Sequence, residues 1–417
     1  MEAGCLYNEN KRIEGRRNMK ALKMTAAAAA LSSLITIHAS AEESEKLTNS
    51  SMPVREYIEM KKELPAAMAR FKYDSGYTFE YPDAVRGVYV TGHSAGGEKF
   101  NKLVDLIGKT DLNAMVIDIK DDWGNLTYIP EGKSPYSSIG KPYIKDPATV
   151  LKTMEEKKIY PIARVVVFKD SVLANSKPEW SYKDGNKVWS NGRGESFVNP
   201  FLKEVWDYNV GIAIEAAKMG FQEIQFDYVR FPEGFEKREE TLTYSTGEYN
   251  GADDNVQKRV QAVTDFVAYA REKLKPYDVQ VSVDIFGYSA TLPEAPGIGQ
   301  NFSKISSNVD VISSMIYPSH WTSYFGISKP DLEPYNLVAE YSKLEKKKLG
   351  ELEEAPVSRP WLQDFTASWL GAGNYKAYGK QEVEAQIKAL KDQGINEYLL
   401  WNAGNSYTEG VDYTPGE

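Results

Sequence analysis

Three aspartates, Asp118, Asp227 and Asp284, stand near the ends of three separate apolar runs, and three cations, Lys120, Arg164 and Arg230, stand on the same or neighbouring runs. Carboxyl groups brought together in this way can divide acid and base work, one protonated and one ionised, when their surroundings push their pKa values apart. The densest segment is QFDYVRFPEG, Gln225 to Gly234, which places a carboxylate, an aromatic ring, a guanidinium and a proline within six positions.

Side chains alternate between the two faces of a strand. EIQFDYVRF therefore sets Glu223, Gln225 and Asp227 on one face and Ile224, Phe226 and Tyr228 on the other, and VQVSVDIFG repeats the pattern with Ser282 and Asp284 opposite Val281 and Val283. The same rule puts Tyr89 with Thr91, and Asp118 with Lys120, and it aims Arg164 the same way. Burying carboxylates without partners is costly, so acids and cations converging at a rim of strand ends read as a functional site. A structural ion-pair network is the plainer reading and weighs most at Asp118. Three acids could also hold a hard cation through oxygen ligands, but no calcium-loop spacing is present and His38, His93 and His320 are the only histidines. Neither a metal nor a cofactor is expected.

The elements that must position these residues alternate along the chain. Strand-like runs occupy 86–92, 114–121, 160–168, 223–231, 279–287, 309–318, 359–365 and 397–403, with helix-like patterns at 98–108, 147–158, 201–219, 255–274, 337–347 and 380–393. Eight strands with intervening helices predict an α/β fold, a (β/α)8 TIM barrel over 85–417, with its site at the C-terminal strand ends. The fifth-to-sixth connection has no convincing helix, which keeps an open doubly wound sheet as the alternative. Trp123, Trp180, Trp189, Tyr228, Phe286, Tyr288, Tyr317, Trp321 and Trp401 fall near predicted strand ends or on the loops leaving them. Such rings suit the mixed apolar and polar faces of a sugar. The segment 169–199 exceeds usual loop lengths and is a candidate substrate wall or lid.

At 417 residues, 42% hydrophobic and 26% charged, the composition is that of a globular protein. Basic residues Lys11, Arg12, Arg16, Arg17, Lys20 and Lys23 precede an apolar run to Ile37 and the small-residue site Ala39-Ser40-Ala41. Residues 1–41 read as a signal peptide, with Met19 as a second candidate start and an uncleaved anchor as the alternative, and 42–84 as an N-terminal spacer or appendage. Cleavage would remove Cys5 and leave 44 basic and 56 acidic residues, a charge of −12. Such acidity disfavours a nucleic-acid partner or an anionic membrane surface. The expected location is secreted or cell-envelope, without stable membrane insertion after cleavage. Oligomeric state is not fixed by the sequence.

RGVYVTG, VIDIKDDWG, the Trp-containing loop leading to Asn199-Pro200-Phe201, EIQFDYVRFP and SVDIFG together resemble a bacterial family of glycoside-hydrolase-like TIM-barrel proteins, over roughly Val85 to Asn405. That resemblance implies a polysaccharide or oligosaccharide substrate and places Asp227 at the position inferred to be catalytic. Two carboxyl groups on neighbouring strands, about 4.8 Å apart, match the ~5–5.5 Å of retaining glycosidases. Retention is therefore expected, with Asp227 as nucleophile and Asp284 as acid/base. Asp118 with Asp227 is the inverting alternative, and Asp364 a third acid whose facing is undecided. Lys120, Arg164, Arg230, Trp123, Trp189, Tyr228, Phe286, Tyr317 and Trp401 are the expected substrate-binding residues. A non-catalytic carbohydrate-binding barrel and a metal-dependent hydrolase are the competing functions.

Overall fold

Runs of β-branched and aromatic residues become the eight strands of one ring: β1 Arg86–Val90, β2 Ala114–Lys120, β3 Tyr160–Val166, β4 Glu223–Asp227, β5 Gln280–Phe286, β6 Val311–Met315, β7 Trp361–Gln363 and β8 Tyr398–Trp401. The computed structural model describes residues 72–251 and 254–415, so the expected signal peptide with Cys5 and most of the expected 42–84 spacer lie outside the described residues. Every neighbouring pair in the ring is parallel, and contact of Met315 on β6 with Trp361 on β7 closes it. Closure removes the open-sheet alternative. The seventh strand is broken: Val357–Ser358 pairs with β6 before the chain moves over to β8. Pro360, which has no N–H to give a ladder, stands at the break.

Crossing helices cover the ring: α1 Glu98–Ile107, α2 Pro147–Glu156, α3 Lys203–Met219, α4 Asn255–Leu274, α5 Phe302–Ser306, α6 Pro334–Leu349 and α7 Lys380–Asp392. Their starts follow local chemistry. Asp146 and Asp254 cap α2 and α4 by accepting from Thr149 N and Gln257 N, and Pro147 occupies the first turn of α2. The fifth-to-sixth crossover, which showed no helical pattern, holds a short 3-10 helix at Gly287–Thr291 and the five residues of α5. No described helix is long and apolar enough to cross a membrane.

Alternation divides the apolar residues into two cores. Ile117, Val165, Phe226 and Val283 face the helices, while Tyr89, Val116, Ile162, Tyr317, Trp361 and Leu399 fill the lumen. The lower mouth is sealed by charge. Arg359 donates through Nη1 to both oxygens of Glu223 at 2.8 Å, through Nε to Glu397 at 2.8 Å and through Nη2 to Tyr81 Oη at 2.7 Å. Residues 72–84 run along this end, where Thr78 N donates to Glu155 and Tyr77 packs on Gly220. A Cβ at Gly220, whose φ is +122°, would lie 2.4 Å from that ring.

Candidate active site

Asp118 on β2, Arg164 on β3, Asp227 at the end of β4 and Asp284 on β5 meet at the upper end of the lumen. Arg164 organises three of the carboxylates. Its Nη1 donates to Asp118 Oδ1 at 2.7 Å, its Nε and Nη2 to Asp227 Oδ2 at 3.0 and 2.6 Å, and Nη2 also to Asp122 Oδ1 at 2.9 Å. The guanidinium carbon is 5.5 Å from the rings of both Tyr89 and Trp401, which stack on each other. Tyr89 Oη donates to the other oxygen of Asp118 at 2.5 Å. The β4–β5 register pairs Gln225 with Ser282 and Phe226 with Val283, so the next step along both strands sets Asp227 beside Asp284. Trp361 Nε1 donates to Asp284 Oδ1 at 2.7 Å.

Burial and charge give these acids different proton affinities. Burial, and next the neighbouring charge of Asp227, push the Asp284 carboxyl well above the usual carboxylate range. Asp118 is pushed up to about 6 by burial, against the opposing pull of Arg164. Burial acts the same way on Asp122, but Arg164 and Lys169 outweigh it and hold that carboxyl below its ordinary value. Tyr317, buried in the lumen, is raised by burial and then by the charges of Asp284 and Asp227. A protonated carboxyl beside an ion-paired one is an arrangement suited to acid–base division of labour. Among the described residues, no group of three or more His, Cys, Asp or Glu is placed to hold a metal ion.

Three expectations from alternation and loop composition change. Lys120 does not face the lumen: the register slips between Asp118 and Lys120, so Lys120 pairs with outward-facing Val165. Its Nζ donates to Val166 O and to Asn209 Oδ1 on α3, each at 2.8 Å, and is paired with Asp170 at 2.6 Å, with both side chains fully buried. Trp189 is buried within its own loop against Phe197, with Arg238 over its ring, and offers no open face. Arg230 is enclosed between Tyr228 and Phe286, 4.8 and 4.6 Å from the two ring centroids, and donates to Phe231 O and Glu233, so it braces the rim.

Tyr228 departs from strand geometry at the residue after Asp227. Its φ of +53° is a left-handed conformation that bulky residues rarely adopt, and its N–H donates to Asp227 Oδ1 at 2.6 Å. That turn brings its hydroxyl to Lys169 Nζ at 3.3 Å. Lys169, Asp122, Glu195 and Trp361 went unnoticed in the sequence. Lys169 pairs with Asp122 at 3.2 Å and Glu195 at 2.8 Å, pinning both ends of the 169–199 segment beside the acids. That segment is ordered, with a helix at Ser171–Ser176 and a small hairpin of Lys183–Asp184 with Lys187–Val188. Trp123 is 53% exposed on the turn after β2. There Asp121 Oδ1 accepts from the backbone N–H groups of Trp123, Gly124 and Asn125. Asp364 turns aside, accepting from Thr408 N and Oγ1.

The barrel is similar to the PgaB (BpsB) glycoside hydrolase domain from Bordetella bronchiseptica, at 16% identity and a TM-score of 0.53 over 77% of this chain and 95% of that one. It is also similar to a β-galactosidase from the psychrophilic Marinomonas ef1, at 11% identity and a TM-score of 0.51 over 76% and 54% of the two chains. A hypothetical protein from Ruminiclostridium thermocellum ATCC 27405 shares 35% identity over 47% of this chain and 96% of that one, with a TM-score of 0.41. No curated protein matches the chain. Residues 87–407, which take in the three acids of the upper lumen and all of the ring but Arg86, match the family model described as "Putative glycosyl hydrolase domain", and the chain belongs to that family.

Proposed function

We propose that the upper lumen hydrolyses glycosidic bonds of an oligosaccharide or polysaccharide with retention of configuration. The observation that carries this reading is the placement of Asp227 and Asp284 one step beyond the Phe226–Val283 pair of adjacent strands, one ion-paired with Arg164 and the other with its carboxyl pushed up by burial and by Asp227. Asp284 gives its proton to the leaving oxygen as the glycosidic C–O bond breaks, while Asp227 attacks the anomeric carbon to form a glycosyl ester. Asp284 then removes a proton from water, whose oxygen displaces Asp227 and completes hydrolysis. Arg164 favours this pair over Asp118 with Asp227: its guanidinium fills the space between those two carboxylates, where an inverting enzyme needs a water. From the N-terminal sequence alone, we infer action outside the cytoplasm.

The test is product release from a panel of bacterial polysaccharides, with the anomer of the first product read by NMR. Asp227→Asn and Asp284→Asn are expected to lose about 10²- to 10⁴-fold in turnover with unchanged circular dichroism. Full turnover in Asp227→Asn removes that residue from the mechanism. Retention on the polymers by wild-type protein that releases no product makes the barrel a binding module instead.

A further inference from the structure

The lumen holds more aromatic surface than the acids need, and its rings continue outward in one direction. Trp361, bonded to Asp284, packs edge-on against Trp401 at 5.5 Å between centroids. Trp401 meets Tyr317 at 6.4 Å, Tyr317 meets Phe365 at 6.0 Å, and Phe365 lies nearly parallel to Trp369, 5.9 Å away and inclined by 21°. Trp361 and Tyr317 are buried, at 1% and 6% exposed, Trp401 and Phe365 are half-buried, and the line ends at Trp369, which is 55% exposed. A single exposed tryptophan is ordinary; one that ends an unbroken line of rings starting at the reacting acids is not.

The loop bearing Trp369 is held in place by two bonds from outside it and one across its base. Lys329 Nζ donates to Gly373 O at 2.7 Å, Lys376 N to Asp331 Oδ2 at 3.0 Å, and Tyr378 N to Thr366 Oγ1 at 3.0 Å. The ring is thus presented without the ordering cost a floppy loop would add on binding. A flat apolar face open to solvent fits the C–H face of a pyranose, whose hydroxyls stay in water at its edge.

We infer that Phe365 and Trp369 form a distal sugar-binding platform, and that the molecule bound across the site is therefore a chain of several sugar units rather than a terminal monosaccharide. This rests on the hydrolase reading for its catalytic end, but the platform itself is a statement about binding.

Trp369→Ala and Trp369→Phe, made in the full chain, test it with dimer-to-hexamer ladders of β-1,4-linked glucose, β-1,4- and β-1,6-linked N-acetylglucosamine and α-1,4-linked glucose. Binding is measured calorimetrically in an Asp227→Asn background. In that background the affinity gained from shortest to longest chain is expected to fall about tenfold on Trp369→Ala and to return largely with Trp369→Phe. With Asp227 intact, kcat/KM should show the same length-dependent loss, carried by KM. A loss equal at all lengths, no loss on the longest chain, or no ladder bound by the Trp369 parent overturns the platform. Binding that follows this pattern without any hydrolysis by wild type leaves the platform standing and removes the hydrolase reading.

Discussion

Trp361 and Asp284 are joined across the closing seam of the barrel: the indole Nε1–H of one, on β7, reaches the carboxyl Oδ1 of the other, on β5, at 2.7 Å. This bond opposes burial and Asp227, the two largest of the influences that raise the Asp284 carboxyl. The acid is thus poised by a residue contributed from the far part of the chain.

Removing the donor should free the larger influences. In Trp361→Phe the alkaline limb of the kcat/KM profile, where the acid loses its proton, is expected to move up by roughly half to one pH unit. A pH–rate profile checks this; an unmoved limb means that Asp284 is not the acid seen in that profile.

Asp118 makes stability depend on pH. Its value in the fold, about 6, lies above its ordinary value, so the folded state holds this proton more tightly than the unfolded chain does. The associated stability is complete below pH ~4 and is lost as the pH rises through about 6. Relative to Asp118→Asn, the wild type should lose on the order of 2–3 kcal/mol across that window and change little above it. Denaturant unfolding of both proteins at a series of pH values measures the difference, and a flat difference refutes it.

Lys120 should matter for stability and not for chemistry. Lys120→Met leaves Asp170 buried without its cation and is expected to cost about 3–5 kcal/mol. Adding Asp170→Asn, which keeps an acceptor for the Leu173 N–H bonded by Asp170, should recover most of that. Turnover per folded molecule is expected to stay at the wild-type value in the double variant, measured beside its melting curve. A large fall in kcat would return Lys120 to the site.

The inward acids were legible because alternation is a local rule. Tyr89, Arg164, Asp227 and Asp284 face where the pattern of their own strands puts them. The rule fails where pairing slips or φ changes sign. A one-residue register shift after Asp118 sends Lys120 to the helices, and a left-handed residue after Asp227 returns Tyr228 to the rim. Asp122, Lys169 and Glu195 lie on loops, where no periodicity reports direction; Glu195 reaches Lys169 because the 169–199 segment folds back on itself, and Asp122 reaches it from the turn after β2. Trp361 sits on a three-residue strand after a proline, too short a run for alternation to be read.

The seal at the lower mouth also bears on how the ring is assembled. Arg359 contacts Glu223 and Tyr81 across 136 and 278 residues of chain, and Glu397 contributes from just before the last strand. Loop closure must be completed before such distant partners reward it. A partial ring lacking β7 would leave Glu223 as a buried charge without its guanidinium. The four-part cluster thus acts as a checksum on the barrel, satisfied only when the first and last segments of the fold have both arrived.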